Sequence, residues 1–354
     1  METMAEDDPG VLPMYDEEDE EEAAAEKEKR RQQSRKPRKE LPWPEESLTP
    51  EEKARKEMNF AMATKLVECN PKTGGRTYTR VWFLDFSRFD IDEETQYGPM
   101  RFTDSLVGED HVLTDSLNVL CVKIMSSDVG YPVNVYGTVI IRDRLDMKCI
   151  YVFQRNRDSC QLVQSEGESL ILTGPSRGLL FITDVYVEIN LKIKEDKESN
   201  DRQFSKGLLD VDRFRIYSNI VKKTLDSWLS VVDLLFAHVK NALEGTIEIK
   251  ILSGPEAFNG KINACSTDVP NHILLYDSDV DGVITDGDGD GKILQLLRRV
   301  VAVSNSEMLI ICIHSHSDDA HYICKFTPRI KGADEQVAIF GPYEMLLKVV
   351  WSTM

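Results

Sequence analysis

Between Tyr131 and Lys194 the chain alternates apolar and polar residues with a period that suits a β-sheet. Val185, Val187, Ile189, Leu191 and Ile193 are apolar, whereas Glu188, Asn190, Lys192 and Lys194 are polar. A strand turns successive side chains to opposite faces, so this period of two gives one dry face and one wet face, as antiparallel sheets usually have. Val133, Val135, Gly137, Val139 and Ile141 repeat the pattern up to Arg142 and Asp143, and Met147 to Gln154 is β-rich beyond a short turn.

Segments of the same character recur along the chain: Tyr78 to Phe86, Leu117 to Met125, Pro132 to Ile141, Ser169 to Leu172, Leu179 to Lys194, Thr246 to Leu252, Lys261 to Cys265, His272 to Tyr276, Ile293 to Val303, Met308 to His316, His321 to Phe326 and Met345 to Trp351. Their spacing predicts an all-β fold, an antiparallel β-sandwich or a barrel-like closure of the same strands. Residues 225–243 read two ways. Leu225, Trp228, Leu229, Val232, Leu235, Phe236, Val239, Ala242 and Leu243 fit one helical face, but Trp228, Val231, Val232 and Phe236 favour strands and lie among strands. Tertiary context overrides such local periods, and the reading leans to strand, turn, strand.

The first 46 residues differ. They hold almost no bulky apolar side chains, which predicts a disordered tail. Asp16 to Glu22 is an acidic run, and Lys27, Lys29, Arg30 and Arg31 with Arg35, Lys36, Arg38 and Lys39 resemble a two-part nuclear-import signal, a pattern that a mixed-charge solvated tail shares. Residues 47–77 read as a helix and linker: Thr49 caps, Pro50 suits the first helical position and Glu52 completes a capping box. The β-rich domain is expected over 78–354.

A net charge of -18 argues against a nucleic-acid footprint over the whole molecule, because phosphate contacts need clustered Lys and Arg. The acidic start lacks the basic region and apolar run of a secretory signal, and no stretch is long enough to span a bilayer, so a soluble cytoplasmic or nuclear protein is expected. Seven scattered cysteines without a Cys-x-x-Cys predict reduced thiols.

Chemistry-bearing patterns are few. Asp277, Asp279 and Asp281 with Gly282 match the first, third, fifth and sixth places of a calcium loop, Val283 offers its carbonyl and Asp288 takes the twelfth place. Asp is shorter than the usual Glu at that place, and the flanks read as strands, so an acidic Gly-rich surface turn explains the same residues. Cys312, His314, His316, His321 and Cys324 invite a zinc reading. With a turn at Ser317 to Ala320, His316 is expected opposite His321. Cys312, His314, His316 and His321 then share the wet face and Cys324 the core face, which removes Cys324 as a ligand. Gly174 to Gly178 lacks the Gly-Lys-Ser/Thr of a phosphate loop, and Pro175 removes an amide donor, so it reads as a tight turn. No nucleophile elbow is present.

Tyr136-Gly137-Thr138-Val139 followed by Arg142-Asp143, Arg155-Asn156-Arg157-Asp158 with Cys160, Leu172 to Gly178 and Val187 to Ile193 together resemble an uncharacterised domain abundant in grasses, the domain-of-unknown-function family 6598. Glu244 to Ile247, Leu296 to Val303 and Val349 to Ser352 look like its second half, and the likeness spans roughly 78 to 354. It implies a monocot plant protein. Some members carry the domain behind a ribosome-inactivating RNA N-glycosidase domain, which associates it with stress or defence. The Ser-Glu-x-x-Arg helix of that glycosidase is not seen, and the only Glu-x-x-Arg near the start is Glu52 to Arg55, so the activity is not carried over. The expected function is a non-catalytic protein-interaction module with a protein partner and no cofactor. The alternative is a calcium-responsive binding module, peripheral at membranes, that uses Asp277, Asp279, Asp281, Val283 and Asp288.

Overall fold

Thr49 and Glu52 close the expected capping box ahead of helix α1 (Pro50–Lys65): the Thr49 amide donates to Glu52 Oε2 at 2.8 Å and the Glu52 amide to Thr49 Oγ1 at 3.2 Å. The computed structural model describes residues 48–102, 112–255, 257–280, 285–286, 292–316 and 320–354. The tail expected over 1–46 lies outside them. The chain divides into Met1–Arg55 and Lys56–Met354, and every described strand belongs to the second unit.

The first half of that unit holds β1 (Val67–Cys69), β2 (Arg76–Tyr78), β3 (Ser116–Ser127), β4 (Val133–Arg142), β5 (Ile150–Arg155), β6 (Gln161–Val163), β7 (Glu168–Ser169), β8 (Asp184–Ile193), β9 (Arg202–Asp212), β10 (Ile220–Ser227) and β11 (Ser230–Val239). The second half holds β12 (Ala242–Ser253), β13 (Gly260–Ser266), β14 (Ile273–Asp277), β15 (Thr285–Asp286), β16 (Lys292–Leu294), β17 (Val300–Ser304), β18 (Leu309–Ser315), β19 (His321–Phe326), β20 (Gly332–Phe340) and β21 (Tyr343–Thr353). All ladders between these strands are antiparallel, and among the described residues no sheet closes into a barrel.

In the first half, the sheet β10-β11-β3-β7 faces the sheet β5-β4-β8-β9, on which β6 pairs with β4. Val119, Val122, Ile124, Val232 and Phe236 of one meet Val135, Val139, Val187, Ile189 and Leu191 of the other in a dry core. In the second half, β15-β16-β12-β21-β20, with β17 on β12, covers β14-β13-β18-β19 around Ile249, Ile262, Ile311, Phe326, Leu347 and Trp351. Leu120 of β3 and Ala237 of β11 belong to this second core, so β3 and β11 contribute side chains to both cores. The Asn118 side-chain amide joins the halves as a peptide group would: Nδ2 donates to the Ala302 carbonyl at 2.7 Å and Oδ1 accepts from the Ala302 amide at 2.9 Å.

Residues 225–243 contain strands and no helix. β10 and β11 form a hairpin through Trp228 and Leu229, with Ser227 opposite Ser230 and Trp228 at φ 50°. The segment expected as a strand from Tyr78 to Phe86 is a strand only to Tyr78; beyond it the chain folds as irregular cover over β8. That cover buries Glu188, which the alternation put on the wet face. Its carboxylate accepts from Arg142 Nε at 2.8 Å, Arg80 Nε at 2.9 Å and the Val81 amide at 2.9 Å. Ile293 to Val303 is broken into β16 and β17 by residues 295–299, and β9 and β20 are strands the local pattern did not announce.

Two more buried arginines differ in their surroundings. Arg177 and Asp143 are both fully buried, with Nη1 to Oδ2 at 2.5 Å and Nη2 to Oδ1 at 2.9 Å. Arg298, 3% exposed, makes no hydrogen bond or ion pair among the described residues, its Nε has no partner, and burial pulls its pKa down to about 10.

Candidate functional site

The acidic segment begins where β14 ends. Asp277 closes β14 opposite Lys261 of β13, and Lys261 is also opposite His314 of β18. Gly260 allows this crowding, since a Cβ there would lie 2.1 Å from the His314 carbonyl oxygen. The turn after Asp277 is tied to β13: the Ser278 amide donates to the Gly260 carbonyl at 3.0 Å, and the Gly260 amide donates to Ser278 Oγ at 3.0 Å. The His316 amide donates to the Asn259 carbonyl at 3.1 Å, which brings the end of β18 to the same corner.

Asp277, Asp279 and His316 therefore converge, each with one potential ligand atom within 4.8 Å of the others. Asp277 is 7% exposed; its Oδ1 accepts from the Asp279 amide at 3.1 Å and its Oδ2 takes the Lys261 ammonium at 2.8 Å. Asp279 and His316 are exposed. Two carboxylates and an imidazole can share a divalent cation. The imidazole favours zinc or another transition metal, whereas calcium takes oxygen ligands. Asp281, Val283 and Asp288, the rest of the calcium frame, lie outside the described residues.

The histidine hairpin is shifted by two residues from the expected register. His314, not His316, lies opposite His321, with ring centroids 6.3 Å apart. A shift of two keeps every side chain on its face. Cys324 is thus in the core as expected, its thiol pushed up to about 11 by burial. Among the described residues Cys312, His314 and His321 do not form a ligand cluster. His316 does so with the aspartates, a meeting that depends on two long-range strand pairings and is invisible to local spacing.

Gly174 to Gly178 is a turn, as expected, and the Gly174–Pro175 peptide bond is cis. A Cβ at Gly174 would lie 1.9 Å from the Tyr151 carbonyl oxygen, so only glycine lets the turn lie this close to β5. Glu244, 2% exposed, holds the turn against β12: Oε2 accepts from the Gly178 amide and Oε1 from the Met100 amide, both at 2.6 Å. The turn overhangs a cleft of about 580 Å³ whose lining includes Met100, Thr173, Ser176, Thr246, Arg299 and Lys348. Among the described residues no Cys, His or Asp lines the cleft, whose ionisable lining residues are Glu248, Arg299 and Lys348. No helix of the described residues is long and apolar enough to cross a membrane.

A family model described as Domain of unknown function (DUF6598) matches residues 116–349. No curated protein matches the sequence. Among solved structures the chain is similar to human GIVD cytosolic phospholipase A2, at 9% identity over 69% of this chain and 31% of that one, with a TM-score of 0.25. It is also similar to the calcium-bound pair of C2 domains of Extended-Synaptotagmin 2, at 9% identity over 69% of this chain and 98% of that one, with a TM-score of 0.23. The chain thus spans about a third of the phospholipase, and neither likeness carries an activity to it.

Proposed function

The chain belongs to the DUF6598 family, and from that premise we propose that it is a non-catalytic interaction module that docks a protein partner on the outer face of the sheet containing β12, β21 and β20. The observation that carries this reading is a group of exposed aliphatic side chains on that face. Leu252, Val337 and Ile339 are between 41% and 70% exposed. The half-buried Leu346 lies opposite Val337, and Glu344 lies opposite Ile339. Scattered exposed aliphatics are ordinary; neighbouring ones rimmed by charge, here Lys250, Glu335, Glu344 and Lys348, have the anatomy of an interface. The plant stress or defence setting, and a cytoplasmic or nuclear location, belong to the same proposal and rest on the family resemblance and the charged N-terminal segment. The test is capture of partners from grass-leaf extract on immobilised protein. The double variant Val337→Lys/Ile339→Lys is expected to lose at least about tenfold of the binding of any specific partner, since central anchors each contribute more than about 1 kcal/mol. Unchanged retention by a variant that melts like wild type would sink the reading.

A second reading, a module responsive to a divalent cation, is favoured by the convergence of Asp277, Asp279 and His316. Its calcium form uses Asp277, Asp279, Asp281, Val283 and Asp288. Lys261 already neutralises part of the Asp277 charge, so an incoming cation has to displace that ammonium. A cation that binds only the folded state raises the melting temperature in proportion to the logarithm of its concentration above Kd. Thermal unfolding in millimolar CaCl2 and in micromolar ZnCl2 is expected to show a shift that Asp277→Ala/Asp279→Ala abolishes. His316→Ala distinguishes the two ions: it removes a zinc shift and leaves a calcium shift in place. The absence of both shifts in the wild type removes this reading.

A further inference from the structure

We propose that the cleft beneath the Thr173–Ser176 turn binds a small organic anion, with Arg299 and Lys348 pairing its carboxylate or phosphate group and Thr246 donating to one of its oxygens. The cleft shares Lys348 with the rim of the docking face, but the proposal needs neither a partner there nor an ion at the Asp277 corner.

The first observation is an orphan hydroxyl. Thr246 is 6% exposed and lines the cleft, and its Oγ1 has no hydrogen-bond partner among the described residues. A hydroxyl withdrawn from water without a partner costs about 1–3 kcal/mol, and proteins leave few such groups. A ligand acceptor would satisfy it once a small shift of the side chain opens the hydroxyl to the cleft.

The second observation is charge. Arg299 is exposed at the mouth and makes no side-chain hydrogen bond or ion pair among the described residues; its carbonyl accepts from the Ile247 amide at 2.7 Å, which fixes its backbone against β12. Lys348 is half-buried, opposite Glu248 in the ladder, and its one ion pair among the described residues is with Glu335 at 3.7 Å. Glu248 is the only carboxylate in the lining among the described residues, and with Glu335 on Lys348 it leaves Arg299 as the cation without a carboxylate partner among them. In a chain of net charge -18, an arginine at the cleft mouth with no carboxylate partner among the described residues is a place where a small anion meets attraction rather than repulsion.

The third observation is construction. A cleft of about 580 Å³ has the size of small-ligand sites, which are largely preformed and combine apolar walls with a few placed polar groups. Met100, Pro175, Leu296 and Val350 supply apolar wall, and Thr173 and Ser176 add hydroxyls from the turn. The walls are fixed by buried contacts: Glu244 clamps both Met100 and the turn, and the Leu297 amide donates to the Leu275 carbonyl at 2.7 Å. A bare phosphate would reach the cations but leave the apolar wall uncovered. The site therefore suits an acid group on a compact body.

The experiment uses the full chain with phenyl phosphate and benzoate as probes, benzyl alcohol as the neutral analogue and inorganic phosphate as the bare anion, each titrated by protein-observed NMR or calorimetry. Saturable binding of phenyl phosphate or benzoate is expected, with the tighter of the two assigning the acid class. Affinity for benzyl alcohol and for inorganic phosphate is expected to be at least about tenfold weaker. Arg299→Gln and Lys348→Gln should each weaken the anion about tenfold, the effect of losing one charge-assisted contact. Thr246→Val should weaken it without lowering the melting temperature, because the hydroxyl it removes has no partner in the free protein. No saturable binding of either organic anion at about 10 mM, affinity unchanged in both charge variants, or equal binding of inorganic phosphate would overturn the proposal.

Discussion

Arg177→Met is expected to cost about 3–5 kcal/mol of folding stability, read as a fall in the urea midpoint at constant slope. Both partners of the Arg177–Asp143 pair are fully buried, so removing the guanidinium leaves a carboxylate in the interior. Asp143 keeps the amides of Leu145 and Leu180 at 3.1 and 2.8 Å, two neutral donors that do not balance a full charge. The loss should exceed that of a simple cavity because it combines lost packing with an unpaired ion. The double variant Arg177→Met/Asp143→Leu is expected to recover a large part of the loss, since an apolar pair of similar volume has no ion to desolvate. A single variant within about 1 kcal/mol of wild type would show that water reaches the pair.

Arg298→Met is expected to have the opposite sign, raising stability by about 1–4 kcal/mol. Arg298 is as buried as Arg177, but no carboxylate faces it among the described residues, and Cys121 is the nearby group that acts on its charge. Methionine keeps the apolar stem and discards the charge, so packing is largely retained while the desolvation cost disappears. The check is the same urea titration. Destabilisation by more than about 1 kcal/mol would mean that Arg298 has a counter-charge in solution. The two arginines form an internal control: similar burial and the same substitution, with opposite expected outcomes set by the presence of Asp143.

The fold is legible in the sequence wherever one face of a strand is wet. Val185 to Ile193 announces β8 because Asn190 and Lys192 point to solvent while their neighbours are buried. Glu188 defeats the same rule, since a segment about a hundred residues earlier in the chain covers it with Arg80 and Val81. β20 escapes for a different reason. Val337 and Ile339 are exposed while Ala338 and Phe340 are core, so four consecutive apolar residues conceal the alternation. In the hairpin of β10 and β11 the helical period of Leu225, Trp228 and Val232 is a coincidence that pairing with β3 overrides.

The sites are legible only in part. Asp277 and Asp279 stand out because carboxylates at alternate positions beside Gly282 are a recognisable ligand spacing. That His316 reaches them follows from β13 pairing with both β14 and β18. The cleft has no local signature at all. Ser176, Thr246 and Arg299 come from the turn before β8, from β12 and from the loop before β17, and each reads singly as an ordinary surface or strand residue.

The contact of β3 and β11 with both cores bears on how the two halves could be separated. The family match begins at Ser116, the first residue of β3, and runs to Val349 in β21. A gene fragment encoding the first half alone would leave Leu120 and Ala237 facing water, whereas the second half would keep its two facing sheets. Recombination between Val239 and Ala242 would therefore cut the chain at a short connector and also uncover Leu120 and Ala237 and separate Asn118 from Ala302. Each half thus keeps a core of its own, and Leu120, Ala237 and the Asn118–Ala302 amide pair are where the first half leans on the second.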